Sequence, residues 1–315
     1  MKLLSLWSVV AALGFLTPGA WAYDLSEIVA AGAKVEKIAH GFKYTEGPVW
    51  DPSGWVLFSD IPSDTIYEWV PGPRARRGSV RLPAALVGSL RVFRRPSGHS
   101  NGLARDSRGR LIACEHDRRI SRRDADGSVS TLADRFENKR LNSPNDLVVK
   151  RNGDVYFTDP PYGITKAQDR ELPFSGIFRI TVDGKLLLLE KSLPFPNGLA
   201  FSPDETKLYV VDSGANQIHL FEVAADGSLG KSRLFAEIKL PGHREGPDGI
   251  KVDRRGNVFS AGPDGVWILG PDGHLIGKIP TPEVPANLAF GGIDDATLYI
   301  TARTSLYRIR LKTAP

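Results

Sequence analysis

The sequence predicts an all-β fold, a six-bladed β-propeller, on three observations. A two-strand grammar recurs six times along the chain. Turn residues punctuate it throughout, with 32 glycines and 23 prolines. Between those turns apolar residues alternate with polar ones, the period-two pattern of half-buried strands. At 41% hydrophobic and 24% charged, the 315 residues hold enough apolar material for a substantial core and read as globular, not disordered.

The first 22 residues stand apart. Lys2 precedes an apolar run from Leu3 to Leu16, followed by Thr17-Pro18-Gly19 and Ala20-Trp21-Ala22. A short apolar stretch before a small-residue site is the pattern of a secretory signal peptide, here cleaved after Ala22, and the run is short for a membrane span. Residues 1–22 are therefore expected to be a signal peptide and 23–315 a single propeller domain, exported to the periplasm or secreted, with no span after cleavage. Residues 23 to about 40 are expected to supply a strand to the last blade, because a ring needs a join between its ends.

The six copies follow in order: "EGPVWDPSGWVLFSD" (46–60), "NGLARDSRGRLIACE" (101–115), "NDLVVKRNGDVYFTD" (145–159), "NGLAFSPDETKLYVVD" (197–212), "DGIKVDRRGNVFSA" (248–261) and "ANLAFGGIDDATLYIT" (286–301). Each has a polar or small opening residue, an apolar strand, a turn rich in Asp, Gly, Asn or Ser, and a second strand. Third strands continue several copies, as in "GIFRITVDGK" (176–185), "QIHLFEVAADGS" (217–228), "GVWILGPDGH" (265–274) and "SLYRIRL" (305–311). Openings recur every 38 to 55 residues, room for one four-stranded sheet each and too irregular for a solenoid. No shift in composition marks a second domain.

The formal charge of +5 gathers in "PRARRG" (73–78), "RVFRRP" (91–96) and "DRRISRRD" (117–124). Acidic neighbours Asp117, Asp124 and Asp126 dilute the last run, so these read as solvated loop surface and no nucleic-acid partner is expected. Cys114 is the only cysteine, which excludes an intramolecular disulfide, and it reads as a small buried residue and not a nucleophile.

In a propeller the innermost strands run beside a central channel, so equivalent opening residues converge there. Glu46, Asn101, Asn145, Asn197 and Asp248 hold those places, with Ala286 in the sixth copy. One such Asn or Asp often does no more than cap a turn. Several in register form a ring of oxygens suited to a hard divalent cation, whereas zinc usually shows His or Cys pairs that this chain lacks.

"EGPVW", "NGLARDSRGRLIACEH", "RLNSPNDLVVKRNGDVYFTDPPYG", "PNGLAFSPDETKLYVVD" and "GPDGIKVD" together resemble the SMP-30/gluconolactonase/LRE-like family, most closely its bacterial gluconolactonase-like members. The resemblance covers nearly the whole mature chain. It implies hydrolysis of a small-molecule sugar lactone on a six-bladed propeller holding one divalent cation, most readily Ca²⁺, with Mn²⁺, Mg²⁺ or Zn²⁺ as substitutes. The implied metal ligands are Glu46, Asn145, Asn197 and Asp248. Asn145 also matches a substrate contact, and its neighbours Arg140 and Asn142 match the family's substrate-facing stretch.

Lactone hydrolysis needs a polarised carbonyl, an activated water and a stabilised oxyanion. Asp248 is the first candidate for the base and His116 the second. Glu115 and Asp212 are expected to orient ligands. Asn101, Arg140, Asn142, Asn145, Asp159 and Tyr162 are the expected substrate contacts. A related esterase or phosphotriesterase, or a non-catalytic propeller that binds carbohydrate or protein around a structural ion, are the competing readings.

Overall fold

Strong alternation over four to seven residues, broken by Gly and Asp turns, folds each repeat into an antiparallel sheet. A computed structural model describes residues 24–71 and 88–315, so the expected signal peptide and the basic run at 73–78 lie outside the described residues. Blade 1 is built from Thr45–Asp51, Trp55–Asp60, Thr65–Trp69 and Leu90–Arg94, and blade 2 from Ser100–Arg105, Leu111–Glu115, Arg119–Arg123 and Val129–Ala133. Blade 3 comprises Leu147–Val149, Val155–Asp159, Gly176–Ile180 and Leu186–Glu190, and blade 4 Pro196–Phe201, Lys207–Asp212, Gln217–Glu222 and Arg233–Glu237. Blade 5 comprises Ile250–Val252, Val258–Gly262, Gly265–Leu269 and Leu275–Ile279. Blade 6 takes three strands from the end of the chain, Pro285–Gly291, Thr297–Ala302 and Ser305–Arg310, and its fourth, Glu36–His40, from the beginning. The predicted join is thus formed, with Lys37 opposite Tyr307 and His40 opposite Ser305.

The apolar faces of the blades meet pairwise. Among the described residues, six buried clusters occupy the six blade interfaces: Leu57 and Ile66 meet Leu103 and Leu111 between blades 1 and 2, and Tyr209 and Ile218 meet Ile250 and Val258 between blades 4 and 5. Cys114 lies fully buried in one of them, beside Ile120 and Phe157. Each large side chain withdrawn this way contributes roughly 1.5–3 kcal/mol. Hydroxyls add polar joints near the axis. Ser59 donates to the Asn101 carbonyl at 2.8 Å, Thr158 to that of Asn197 at 2.8 Å and Ser213 to that of Pro247 at 2.6 Å. A hydroxyl in or just after the second strand of one blade thereby fixes the opening segment of the next.

The residue after each opening position meets the neighbouring blade closely. A Cβ on Gly102 would collide with Asp146, and one on Gly198 with the backbone of Asp248 and Gly249, so only glycine lets these strands approach.

The basic runs differ from the expectation of solvated loops. Arg94 and Arg119 lie in strands and pair with the buried Glu115, while the Arg118 guanidinium donates to the Leu141 carbonyl at 2.6 Å and to that of Asp169 at 2.9 Å. An arginine whose fork finds carbonyls and carboxylates across a blade interface is structural.

Candidate active site

The opening residues reach the axis because the strands that carry them are bulged. Pairing shifts register between Glu46 and Val49, between Ser100 and Leu103, and between Pro196 and Leu199, one irregularity at each of these three openings. A bulge re-aims the side chain beside it, here toward the hub. Asn145 and Asp248 sit just before the first strands of blades 3 and 5, held by bonds from their amides to the carbonyls of Thr158 at 2.9 Å and Ala261 at 3.0 Å.

Glu46, Asn101, His116, Asn145, Tyr162, Asn197 and Asp248 line one cavity of about 340 Å³, within the range of small-molecule sites. A larger cleft of about 920 Å³ lies elsewhere, between Lys34, Trp50, Asp294 and Arg308; the acidic and carboxamide residues that open the repeats line the smaller one.

The charge at the hub is unbalanced. Glu46 is buried, and burial followed by repulsion from Asp248 and Asp146 pushes its carboxyl well above the usual carboxylate range. Burial, then Asp146, pushes Asp248 up to about 7. Asp146 is itself raised by burial. It accepts from the Asn287 amide at 3.2 Å, whose oxygen in turn receives the Lys251 ammonium at 3.3 Å. The Asn197 amide nitrogen donates to Ser213 Oγ at 3.0 Å, and that of Asn101 lies 3.3 Å from His116 Nε2. Their oxygens, Asn197 Oδ1 and Asn101 Oδ1, are buried without a partner.

A buried and a half-buried acid that repel each other, beside orphaned amide oxygens, fit a hard cation with oxygen ligands. Among the described residues no group of three or more His, Cys, Asp or Glu side chains is placed to hold a metal, so the donor set is two carboxylates and amides. Burial pulls His116 down to about 4, so its imidazole is uncharged at neutral pH. Burial raises the Tyr162 phenol to about 12, which keeps it a hydrogen-bond donor.

Comparison with known proteins decides the family. The SMP-30/Gluconolactonase/LRE-like region matches residues 44–304, spanning all six opening strands. The chain belongs to the SMP-30/gluconolactonase/LRE-like family. Its relatives in that family include a gluconolactonase of Zymomonas mobilis, 34% identical, with 92% of this chain and 84% of that protein covered. A pentonolactonase of Haloferax volcanii is 27% identical, with 81% and 80% covered. A solved Xanthomonas campestris structure described as a gluconolactonase is 35% identical, with a TM-score of 0.79 over 91% of this chain and 92% of that one.

In this member of the family three expected substrate contacts stand away from the cavity lining. Asn142 is fully buried, and its amide donates to the carbonyls of Asp159 and Phe174, both at 2.9 Å. The Asp159 carboxylate, pushed up to about 7 by burial, accepts from the Asn142 backbone amide at 2.8 Å. Arg140 is exposed on a short hairpin, where its backbone amide donates to Glu171 at 2.7 Å. These residues brace the loop that presents Asn145 and Tyr162; their polar spacing in the sequence reflects that bracing.

Glu115 also departs from the expected role of ligand orienter, because its carboxylate is taken up by Arg119 and Ser121 of its own blade and by Arg94 of blade 1. Asp212 caps the turn at Gly214 and Ala215, next to the Ser213 that anchors the Asn197 amide. Sequence reasoning missed Tyr44, Ser213, Glu245 and Arg303 in the lining. Tyr44 and Glu245 flank the motifs "EGP" and "GPDG" closely enough to have been suspected; Arg303 sits in a hairpin turn with no motif near it.

Proposed function

We propose that this cavity hydrolyses a sugar lactone to the aldonic acid with the help of one divalent cation, most readily Ca²⁺, held by Glu46, Asn145, Asn197 and Asp248. The chain is a lactonase. The observation that carries the cation dependence is the buried Glu46 and the half-buried Asp248, carboxylates that repel each other beside the orphaned amide oxygen of Asn197, a donor set that a bound cation would balance. When bound, such an ion polarises an ester carbonyl and lowers the pKa of water.

The chain's own groups supply the rest. Asp248 accepts the proton of the attacking water at a carboxylate oxygen. Asn101, its amide oriented by His116 Nε2, and Tyr162, a phenol that stays protonated, donate hydrogen bonds to the lactone. His116 is uncharged but weakly basic, so its place is beside Asn101, with Asp248 as the base. The apolar walls from Ile61, Val284 and Pro285 exclude water around the ring.

The test is lactone hydrolysis before and after chelation, with Ca²⁺, Mn²⁺, Mg²⁺ and Zn²⁺ added back singly and spontaneous ring opening subtracted. Activity that vanishes on chelation and returns with Ca²⁺ supports the reading. Equal turnover by the chelated wild type and by Asp248→Ala would remove both the ion and the base. A phosphotriester in the same panel separates the esterase alternative, and no turnover of any substrate leaves a binding propeller. The leader motif supports export, which the mass of the mature chain from a periplasmic fraction checks.

A further inference from the structure

The cavity mouth carries a charged pair whose cation acts on Asp248 from a distance, offsetting part of that carboxyl's upward shift, but which makes no hydrogen bond to the hub. Arg303 and Glu245 both line the cavity, and Arg303 Nη2 lies 3.4 Å from Glu245 Oε1. Arg303 belongs to blade 6, in the turn between Thr297–Ala302 and Ser305–Arg310; Glu245 belongs to the loop that leads into Asp248 and blade 5.

Three features argue against a structural task. The side chains are 44% and 36% exposed, and an ion pair so open adds little to stability. Arg303 takes φ 44°, a left-handed turn position that Asn, Asp or Gly fills with less strain. Among the described residues no other hydrogen bond or ion pair engages its guanidinium, which leaves most of a five-donor fork open toward the cavity mouth. The Tyr44 ring, 5.6 Å from the guanidinium carbon, fixes where that fork stands.

We propose that Arg303 and Glu245 form a specificity-determining pair that reads hydroxyl groups remote from the scissile carbonyl, so that the enzyme selects polyhydroxylated lactones over bare aliphatic or aryl lactones. The inference rests on the lactonase reading of the hub. A sugar hydroxyl is at once donor and acceptor, and this pair offers an acceptor beside a donor. The same pairing disfavours an anionic substituent, which would face the Glu245 carboxylate and the acids of the hub. Tyr44 and Tyr162 supply flat, partly apolar walls on which a sugar ring can lie.

The experiment compares kcat/KM for glucono-δ-lactone with that for dihydrocoumarin, in wild type, Arg303→Met, Arg303→Lys and Glu245→Gln, each first shown to melt at the wild-type temperature. The expected result is a preference ratio that falls about tenfold in Arg303→Met through a raised KM for the sugar lactone, and that Arg303→Lys partly restores. A ratio unchanged in Arg303→Met overturns the proposal. So does a wild-type preference for a lactone bearing a terminal carboxylate that disappears in Arg303→Met, which would make Arg303 an anion anchor. A wild type inert on every lactone fails one step earlier, at the hub, and takes this inference with it.

Discussion

Two sets of buried carboxylates in this propeller have opposite surroundings. In the blades, Glu115 accepts from Arg94, Arg119 and Ser121, and Asp154 accepts from the Arg179 guanidinium at 2.8 Å, the Asn152 amide at 2.8 Å and the Val182 backbone at 2.9 Å. At the hub, Glu46 and Asp248 face each other and Asp146; Lys251 reaches that group through the Asn287 amide, and Arg303 acts on Asp248 only from a distance, with no ion pair to it. Burial is similar for Glu46, Glu115 and Asp154, so depth alone does not separate the sets. What separates them is compensation. A carboxylate whose lone pairs are filled by fixed donors belongs to the scaffold; one left to repel its neighbours waits for a charge from outside.

Removing a carboxylate should therefore have opposite effects on stability in the two regions. Glu115→Ala strips the partner from Arg94, whose side chain is only 11% exposed, and should cost about 3–5 kcal/mol in urea unfolding. Asp248→Asn relieves repulsion, so the metal-free chain should be at least as stable as wild type while lactone hydrolysis falls roughly 10²–10³-fold. If Asp248→Asn unfolds the chelated protein as severely as Glu115→Ala does, the hub is a structural charge cluster and the comparison collapses.

Cation binding sharpens the same contrast. An ion that binds only the folded state stabilises by about 2.7 kcal/mol at a hundredfold excess over its dissociation constant. Calorimetric melting with and without Ca²⁺ should show that gain in wild type and in Glu115→Gln, and lose it in Asp248→Asn. A gain retained by Asp248→Asn would move the ion elsewhere.

The blades were legible because each repeat obeys one local rule, alternation broken by Gly and Asp turns, which needs no knowledge of distant residues. The hub was legible because propeller symmetry turns equal positions in sequence into neighbours in space, as for Glu46, Asn197 and Asp248. Where two roles share one residue type, sequence could not separate them. Asn142 and Asn145 stand three residues apart in the same polar stretch, yet one braces Asp159 and Phe174 while the other lines the cavity. Arg303 escaped notice for the converse reason: its importance lies in what blade 5 brings beside it, and no local pattern records that.

The join of the ring supplies the smallest and most pH-dependent effect. Glu283, just before the first strand of blade 6, accepts from the Lys37 ammonium at 3.0 Å, the Thr304 amide at 2.8 Å, Ser305 Oγ at 2.6 Å and the Tyr307 hydroxyl at 2.7 Å. It is a blade carboxylate of the compensated kind, placed where the two ends of the chain meet. Burial alone would raise its pKa, but donors from Ser305, Thr304, Tyr307 and Lys37 outweigh burial and hold it down at about 2. With its folded value below the unfolded one, its contribution is complete above about pH 4.5 and fades as the pH falls toward 2. Glu283→Gln should lower stability by about 1 kcal/mol at neutral pH, since the side chain keeps 20% of its exposure and Lys37 is half open. The gap between wild type and variant in urea midpoint should narrow from about pH 4.5 downward and close near pH 2. A difference that stays constant from pH 7 to pH 2 would mean that the carboxylate's charge has no part in closing the ring, and that shape and hydroxyl bonding alone hold the first strand against the last.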